Sequence, residues 1–287
     1  TNALSALSSA FGLGTIIGPA VAPLFIIGMV GLAGPLFAFA AIAVVVLVAV
    51  HRWLPDDDPT HNQGAGAAAS EPLVAGGTTG ASVHAAAAGR PERLSWRDPR
   101  ILPFMIFGFC SGSIQAATGQ ALGFLIIDKL GGSALESQQE IAIVFMAGAG
   151  ATLLAQWGLI PLFRMTPPLL MRWGTGIAAF GTAGIALAPD FHALVIAFAL
   201  SSLGYGFARP GFTAGASLAV GRHEQGGVAG AVTSINGSCF VLAPAVGIGL
   251  YQLSPILPYG LGAGALALLL VYAAINDALR TDPVSDD

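Results

Sequence analysis

The stretch Ile101–Leu130 meets its first charged side chain only at Asp128. A bilayer core about 30 Å thick is crossed by about 20 apolar residues in a helix. Seven further stretches meet the same measure: Leu4–Ile27, Leu32–Val50, Gln139–Phe163, Pro167–Ala188, His192–Val220, Gly227–Tyr251 and Ile256–Ile275. Of the 287 residues, 55% are hydrophobic and 9% charged, against roughly 25% charged in a soluble domain. The expectation is an all-α membrane protein with eight transmembrane helices and the lipid bilayer as its surroundings. Asp98-Pro99 before the third span and Thr166-Pro167 before the fifth read as an N-cap followed by a proline in the first turn.

Residues 52–99 differ in composition. They pass from Asp56-Asp57-Asp58-Pro59 into Gly, Ala, Ser and Thr in low-complexity order, and they read as a flexible linker. The other connections are short, so neighbouring spans run antiparallel. With the linker in the cytoplasm, that side holds Arg52, Arg90, Arg93, Arg97, Arg100, Arg164, Arg172, Arg222 and Arg280, the opposite side holds Lys129, and Arg209 lies inside a span. This is a strong positive-inside bias. It places the linker 52–99 and the tail 277–287 in the cytoplasm.

The remaining composition removes several classes of function. A net charge of −4, spread thinly, marks no nucleic-acid partner. The glycines of "GAGAT" at 148–152 follow no strand and lack the Gly-Lys-Ser/Thr ending of a phosphate loop, so no nucleotide site is expected. His51, His61, His84, His192 and His223 fall in loops or at helix ends, and no metal site or other cofactor is expected. Cys110 and Cys239 sit in apolar runs and suggest no disulfide framework. An intramembrane enzyme would need paired aspartates, or a histidine beside Ser111, Ser113 or Ser234, and the spans supply neither.

An internal echo organises the rest. "ALSSAFGLGTIIGPAVA" at 6–22 aligns without gaps on "AVTSINGSCFVLAPAVG" at 231–247, matching Gly12 with Gly237 and Pro19-Ala20-Val21 with Pro244-Ala245-Val246. The offset is 225 residues and six spans. A parallel six-span repeat around a long central linker is the layout of transporters built from two helical halves.

These stretches resemble the major facilitator superfamily, and within it the twelve-span proton-linked drug-efflux antiporters. "GLGTIIGPAV" resembles that group's antiporter motif in its fifth helix; "LAQWGLIPLF" resembles the eighth, "GYGFARPGFTAGASLAVG" the tenth and "GVAGAVTSINGSCFVLAPAVG" the eleventh. The resemblance runs along essentially the whole chain. It implies that residues 1–51 are the last two helices of an N-terminal bundle, that 100–276 form a six-helix C-terminal bundle, and that the first four helices and the family's signature loop lie upstream. It also implies that the helices carrying Gly14, Gly18 and Pro19, and Gly237 and Pro244, pack across the interface between halves and control leakage. The implied setting is the bacterial inner membrane.

The candidate residues follow from cost in hydrocarbon. Pro19 lacks the N–H that would reach the carbonyl of Thr15, so its helix bends, while Gly14, Gly18 and Ala22 give one smooth face. Arg209, flanked by Gly204, Gly206, Pro210 and Gly211, is a charge inside a span, which marks either a substrate pathway or an arginine snorkelling to headgroups. Gln115, Gln120, Gln156, Ser234 and Asn236 offer uncharged polar anchors; they line a pathway among Phe107, Phe109, Phe124 and Phe240, or they join helices to one another. No carboxylate sits mid-span, so no proton carrier is visible, and the resemblance puts coupling carboxylates in the N-terminal half. The reading is a secondary active transporter working by alternating access, with a small-molecule substrate and protons as partners. The alternatives are an uptake carrier for a sugar or another metabolite, and a non-transporting fragment.

Overall fold

The computed structural model describes residues 34–53, 94–95, 97–131, 137–221 and 224–280. The span Leu4–Ile27 with Gly14, Gly18 and Pro19, most of the linker, and the last residues of the tail lie outside the described residues. Every described element is helical: α1 Gly34–Trp53, α2 Leu102–Leu130, α3 Gln138–Phe163, α4 Pro167–Leu187, α5 Phe191–Leu218, α6 Gln225–Leu253, α7 Leu257–Ile275 and the short α8 Asp277–Arg280. Four of them, α3, α5, α6 and α7, are long and apolar enough to cross a membrane. Helices α2 and α4 have 29 and 21 residues, with glycines and threonines diluting their apolar character.

Local chemistry sets the helix starts. The Asp190 carboxylate accepts from Ala193 N–H at 2.8 Å and caps α5. Thr166 occupies the N-cap of α4, as its sequence suggests, yet its hydroxyl caps nothing; Pro167 and Pro168 remove two of the donors, and the Leu169 N–H is not bonded by it. Asp98 departs further from expectation. Helix α2 begins at Leu102 after Ile101, and the Asp98 carboxylate instead accepts from Arg100 N–H at 2.9 Å within a preceding turn.

That turn is bolted to the start of α6. The Arg100 guanidinium donates to both carboxylate oxygens of Glu224, at 3.0 and 2.7 Å, and to both of Asp98, at 3.1 and 2.7 Å. Beside it, a Cβ added at Gly227 would stand 2.9 Å from the Leu94 Cβ, so the chain just before α2 lies directly on α6. At the other end of α2, Lys129 donates to the carbonyl of Ala188 after α4, and Tyr251 of α6 donates to Asp128.

Between these ends the helices meet through small residues. Lipid tails are as apolar as leucine, so helices in a membrane associate by close packing rather than by expulsion of water. A Cβ added at Gly174 of α4 would lie 2.5 Å from Ala208 N, and one at Gly204 of α5 would lie 2.5 Å from the Gly174 carbonyl. Thr182 and Ser201 share a buried hydrogen bond of 3.0 Å across the same seam. Helix α5 also receives the Phe107 ring of α2 against its Phe212, 6.5 Å between centroids, and α7 closes the far side of α4 through Leu266 and Leu269. Helix α6 lies on α2, where a Cβ at Gly247 would meet Ala117 Cα at 2.7 Å.

Two outcomes follow. Gly204→Leu drives a side chain into the α4 backbone and should cost at least about 1–3 kcal/mol, whereas Gly119→Ala, where an added Cβ meets nothing within 4 Å, should be nearly neutral; thermal unfolding in detergent compares them. Arg100 holds the Asp98 and Glu224 carboxyls below their ordinary values, chiefly through its side-chain hydrogen bonds. Both pKa values are depressed in the folded state, so the stabilisation is present at neutral pH and is lost as pH falls through the depressed values. Limited proteolysis around residues 94–100 should quicken on acidification or added salt, and Arg100→Gln should abolish both responses.

Candidate functional site

A cavity of about 550 Å³ opens between α2, α3 and α5, with Ile185 of α4 and Phe240 of α6 at its margins. Each helix presents one stripe to it. On α5 the stripe is Phe198, Ser202, Tyr205 and Arg209; on α3 it is Phe145, Gly148, Thr152 and Gln156. The spacings of three, four and seven are those of one helical face. Aromatic walls stand opposite a few polar groups: Phe145 and Phe198 meet edge to face at 5.6 Å and 77°, and the amides of Gln115 and Gln120 enter from α2. Such a mixture suits a ligand with an apolar body and one or two polar points.

Three prolines shape this space. A proline in a helix removes the donor for the carbonyl four residues back and crowds it. In α3, Pro161 lies four residues past Trp157, and the helix widens over Leu154–Leu159 into a π turn, with Ile160 N–H reaching the Ala155 carbonyl. Gln156 sits inside that turn. In α5, Pro210 withdraws the partner of Gly206, and in α6 Pro244 withdraws the partner of Phe240; both Gly206 and Phe240 line the cavity.

Of the residues singled out from sequence, Gln115, Gln120, Gln156 and Arg209 are brought together around this cavity. Ser234 is exposed on α6, Asn236 is half-buried there, and neither belongs to the lining. Gly237 is exposed with open space around it, and Pro244 is half-buried. The small face of α6 is used on α2: a Cβ at Gly112 would stand 2.7 Å from Cys239 Sγ, and Gly247 sits over Ala117. The aromatic wall also differs from expectation. Phe240 belongs to it, but Phe107 is fully buried against Phe212, Phe124 stacks near Tyr251 at 6.1 Å, and Phe109 is exposed outside the lining. Helical phase is the reason, since Phe107 lies on the α2 face that meets α5.

Sequence reasoning missed Thr152, Ser202 and Tyr205. Their signal was present: Tyr205 lies four residues before Arg209 and Ser202 seven before it, one continuous stripe. The Thr152 hydroxyl is 3.0 Å from the Gly148 carbonyl and 3.2 Å from that of Ser202, tying α3 to α5. The Tyr205 hydroxyl is buried beside Thr118 and Thr182 without a completed hydrogen bond among the described residues.

Apolar membrane-length helices around a cavity with sparse polar anchors fit an integral, multi-pass membrane protein that binds a small ligand. The chain belongs to the Major Facilitator Superfamily, whose sequence profile matches residues 1–247. It is therefore a transporter of small solutes and not an enzyme. No curated protein matches the chain in sequence.

The π turn is testable. With Cys110 and Cys239 replaced by alanine, Gln156→Cys should react with a small hydrophilic thiol reagent, and Met171→Cys, fully buried, should not. Adding Pro161→Ala should change the Gln156→Cys labelling rate several-fold as the helix returns to regular winding. An unchanged rate would mean that the proline does not set the geometry.

Proposed function

We propose that this transporter exports small lipophilic or drug-like compounds in exchange for protons, by alternating access between two helical halves. The observation that carries the export reading is the paired proline motif, "GTIIGPAV" at 14–21 and "VLAPAVG" at 241–247, in register across six spans. Its first copy resembles the antiporter motif of drug-efflux carriers. The aromatic walls and scattered amides of the cavity favour a lipophilic cargo over a sugar, which needs a denser set of hydrogen-bonding groups.

In this reading the chain spans the membrane eight times. Residues 1–51 belong to one bundle, 100–276 form the other, 52–99 is the cytoplasmic linker, and 277–287 is a cytoplasmic tail. The charge asymmetry of the loops supports this orientation in a bacterial inner membrane. Gln115, Gln120, Gln156 and Arg209 contact the substrate. Gly14, Gly18 and Pro19, with Gly237 and Pro244, belong to the helices that rock and seal.

Proteoliposomes with an imposed pH gradient test this. A lipophilic dye should accumulate against its own gradient while protons flow the opposite way, and an uncoupler should abolish the accumulation. Flux that follows only the dye's own gradient would support an uptake carrier or uniporter, and absence of flux across a broad panel would remove the export reading.

A further inference from the structure

Arg209 faces the cavity rather than the lipid: its α5 neighbours at one-turn and two-turn spacing, Tyr205 and Ser202, line the same space, and Gly206 beside it packs against Ala155 of α3. It is the one charged side chain in that lining among the described residues. A cation held among phenylalanines and amides costs several kcal/mol unless an anion or water compensates it. Among the described residues no ion pair reaches Arg209, and the ionisable group that faces it is the Cys239 thiol, already directed at the Ile235 and Phe109 carbonyls. The carboxylates do not come near in sequence either. The first acidic residue is Asp56, and Asp128 and Glu140 lie near the ends of α2 and α3. The balance of hydrogen-bonding groups points the same way. Thr152 bonds backbone carbonyls, Thr118 donates to the Ile114 carbonyl at 2.8 Å, and the buried Tyr205 hydroxyl is left unmatched. The only acceptors beside Arg209 among the described residues are neutral amide, hydroxyl and carbonyl oxygens, so a planar, permanently charged fork stands there without an anion, and that fork matches a carboxylate in two parallel hydrogen bonds.

We infer that the cavity takes a small amphipathic organic anion, with its carboxylate or equivalent acidic group on Arg209 and its apolar body against Phe145, Phe198 and Phe240. This rests on the cavity being the substrate site of the transporter, and it narrows the cargo from lipophilic compounds in general to those that carry a negative charge. A lipid phosphate presents the same chemistry, and the two sources are separable by experiment.

Binding of 2-naphthoate and its uncharged isostere 2-naphthamide to the purified protein in maltoside micelles decides the matter. The carboxylate should bind about tenfold tighter than the amide, the advantage expected of a charge-assisted bidentate pair over a neutral one. Arg209→Gln should erase that difference, and Arg209→Lys should keep part of it. Ala149→Trp, which fills the cavity, should weaken both probes. Equal binding of the two probes, with both weakened by Ala149→Trp, overturns the anion inference and leaves the cavity reading intact. Binding that ignores Ala149→Trp removes both. Loss of both probes in Arg209→Gln with recovery in Arg209→Lys makes the arginine structural and also overturns the inference. Finally, 2-naphthoate should bind equally well in phosphatidylcholine and phosphatidylglycerol nanodiscs, and displacement by phosphatidylglycerol would assign the site to a lipid headgroup instead.

Discussion

The rest of the structure depends on backbone-to-backbone contact between α4 and α5. In hydrocarbon there is no water to expel from between two helices, so attraction must come from atoms in contact over a long seam. Gly174 and Ala178 against Gly204 and Ala208 supply that seam, with a Cβ at either glycine falling inside the partner's backbone. The same seam holds the Thr182–Ser201 hydrogen bond, which satisfies two hydroxyls that would otherwise be stranded. Because α5 is held so closely on this side, the adjoining face about 100° round the helix, carrying Ser202, Tyr205 and Arg209, is oriented toward α3 and the cavity.

Polarity in the cavity comes partly from side chains and partly from interrupted backbone. Pro161, Pro210 and Pro244 each leave a carbonyl without its helical donor, and the affected turns hold Gln156, Gly206 and Phe240, all in the lining. In a membrane such irregularity is tolerated where it borders protein or a cavity. It also provides places where a helix can bend without breaking its packing elsewhere. The ends of the bundle are tied differently: Arg100 clamps Asp98 and Glu224 at one end, and Asp128 and Lys129 reach Tyr251 and the Ala188 carbonyl at the other.

Much of the candidate site was legible in the chain because charge and amide groups are rare in apolar helices and stand out. Arg209, Gln115, Gln120 and Gln156 were found in this way, and they converge. Ser234 and Asn236 carry the same kind of polarity but lie elsewhere on α6, since Cys239 and Gly247 set the phase of that helix against α2. Phe107 illustrates the same limit: a fraction of a helical turn separates a cavity wall from a sealed core. The turn at Asp98 was misread because Asp98 is taken by Arg100, which in turn is held by Glu224, 124 residues further along the chain than Arg100. The π turn around Gln156 had a visible cause in Pro161, yet the direction in which a helix relieves a proline depends on its neighbours.

The sequence by itself determined that this chain is helical and membrane-embedded, where most of its spans begin and end, and which few polar groups enter them. Those are consequences of transfer free energy and periodicity, and they are local. Only the tertiary structure decided which face of each helix is buried, so that Arg209 came to a shared cavity while Phe107 went to the core. That choice is made by the close approach of small residues on different helices, and no single helix contains the information for it.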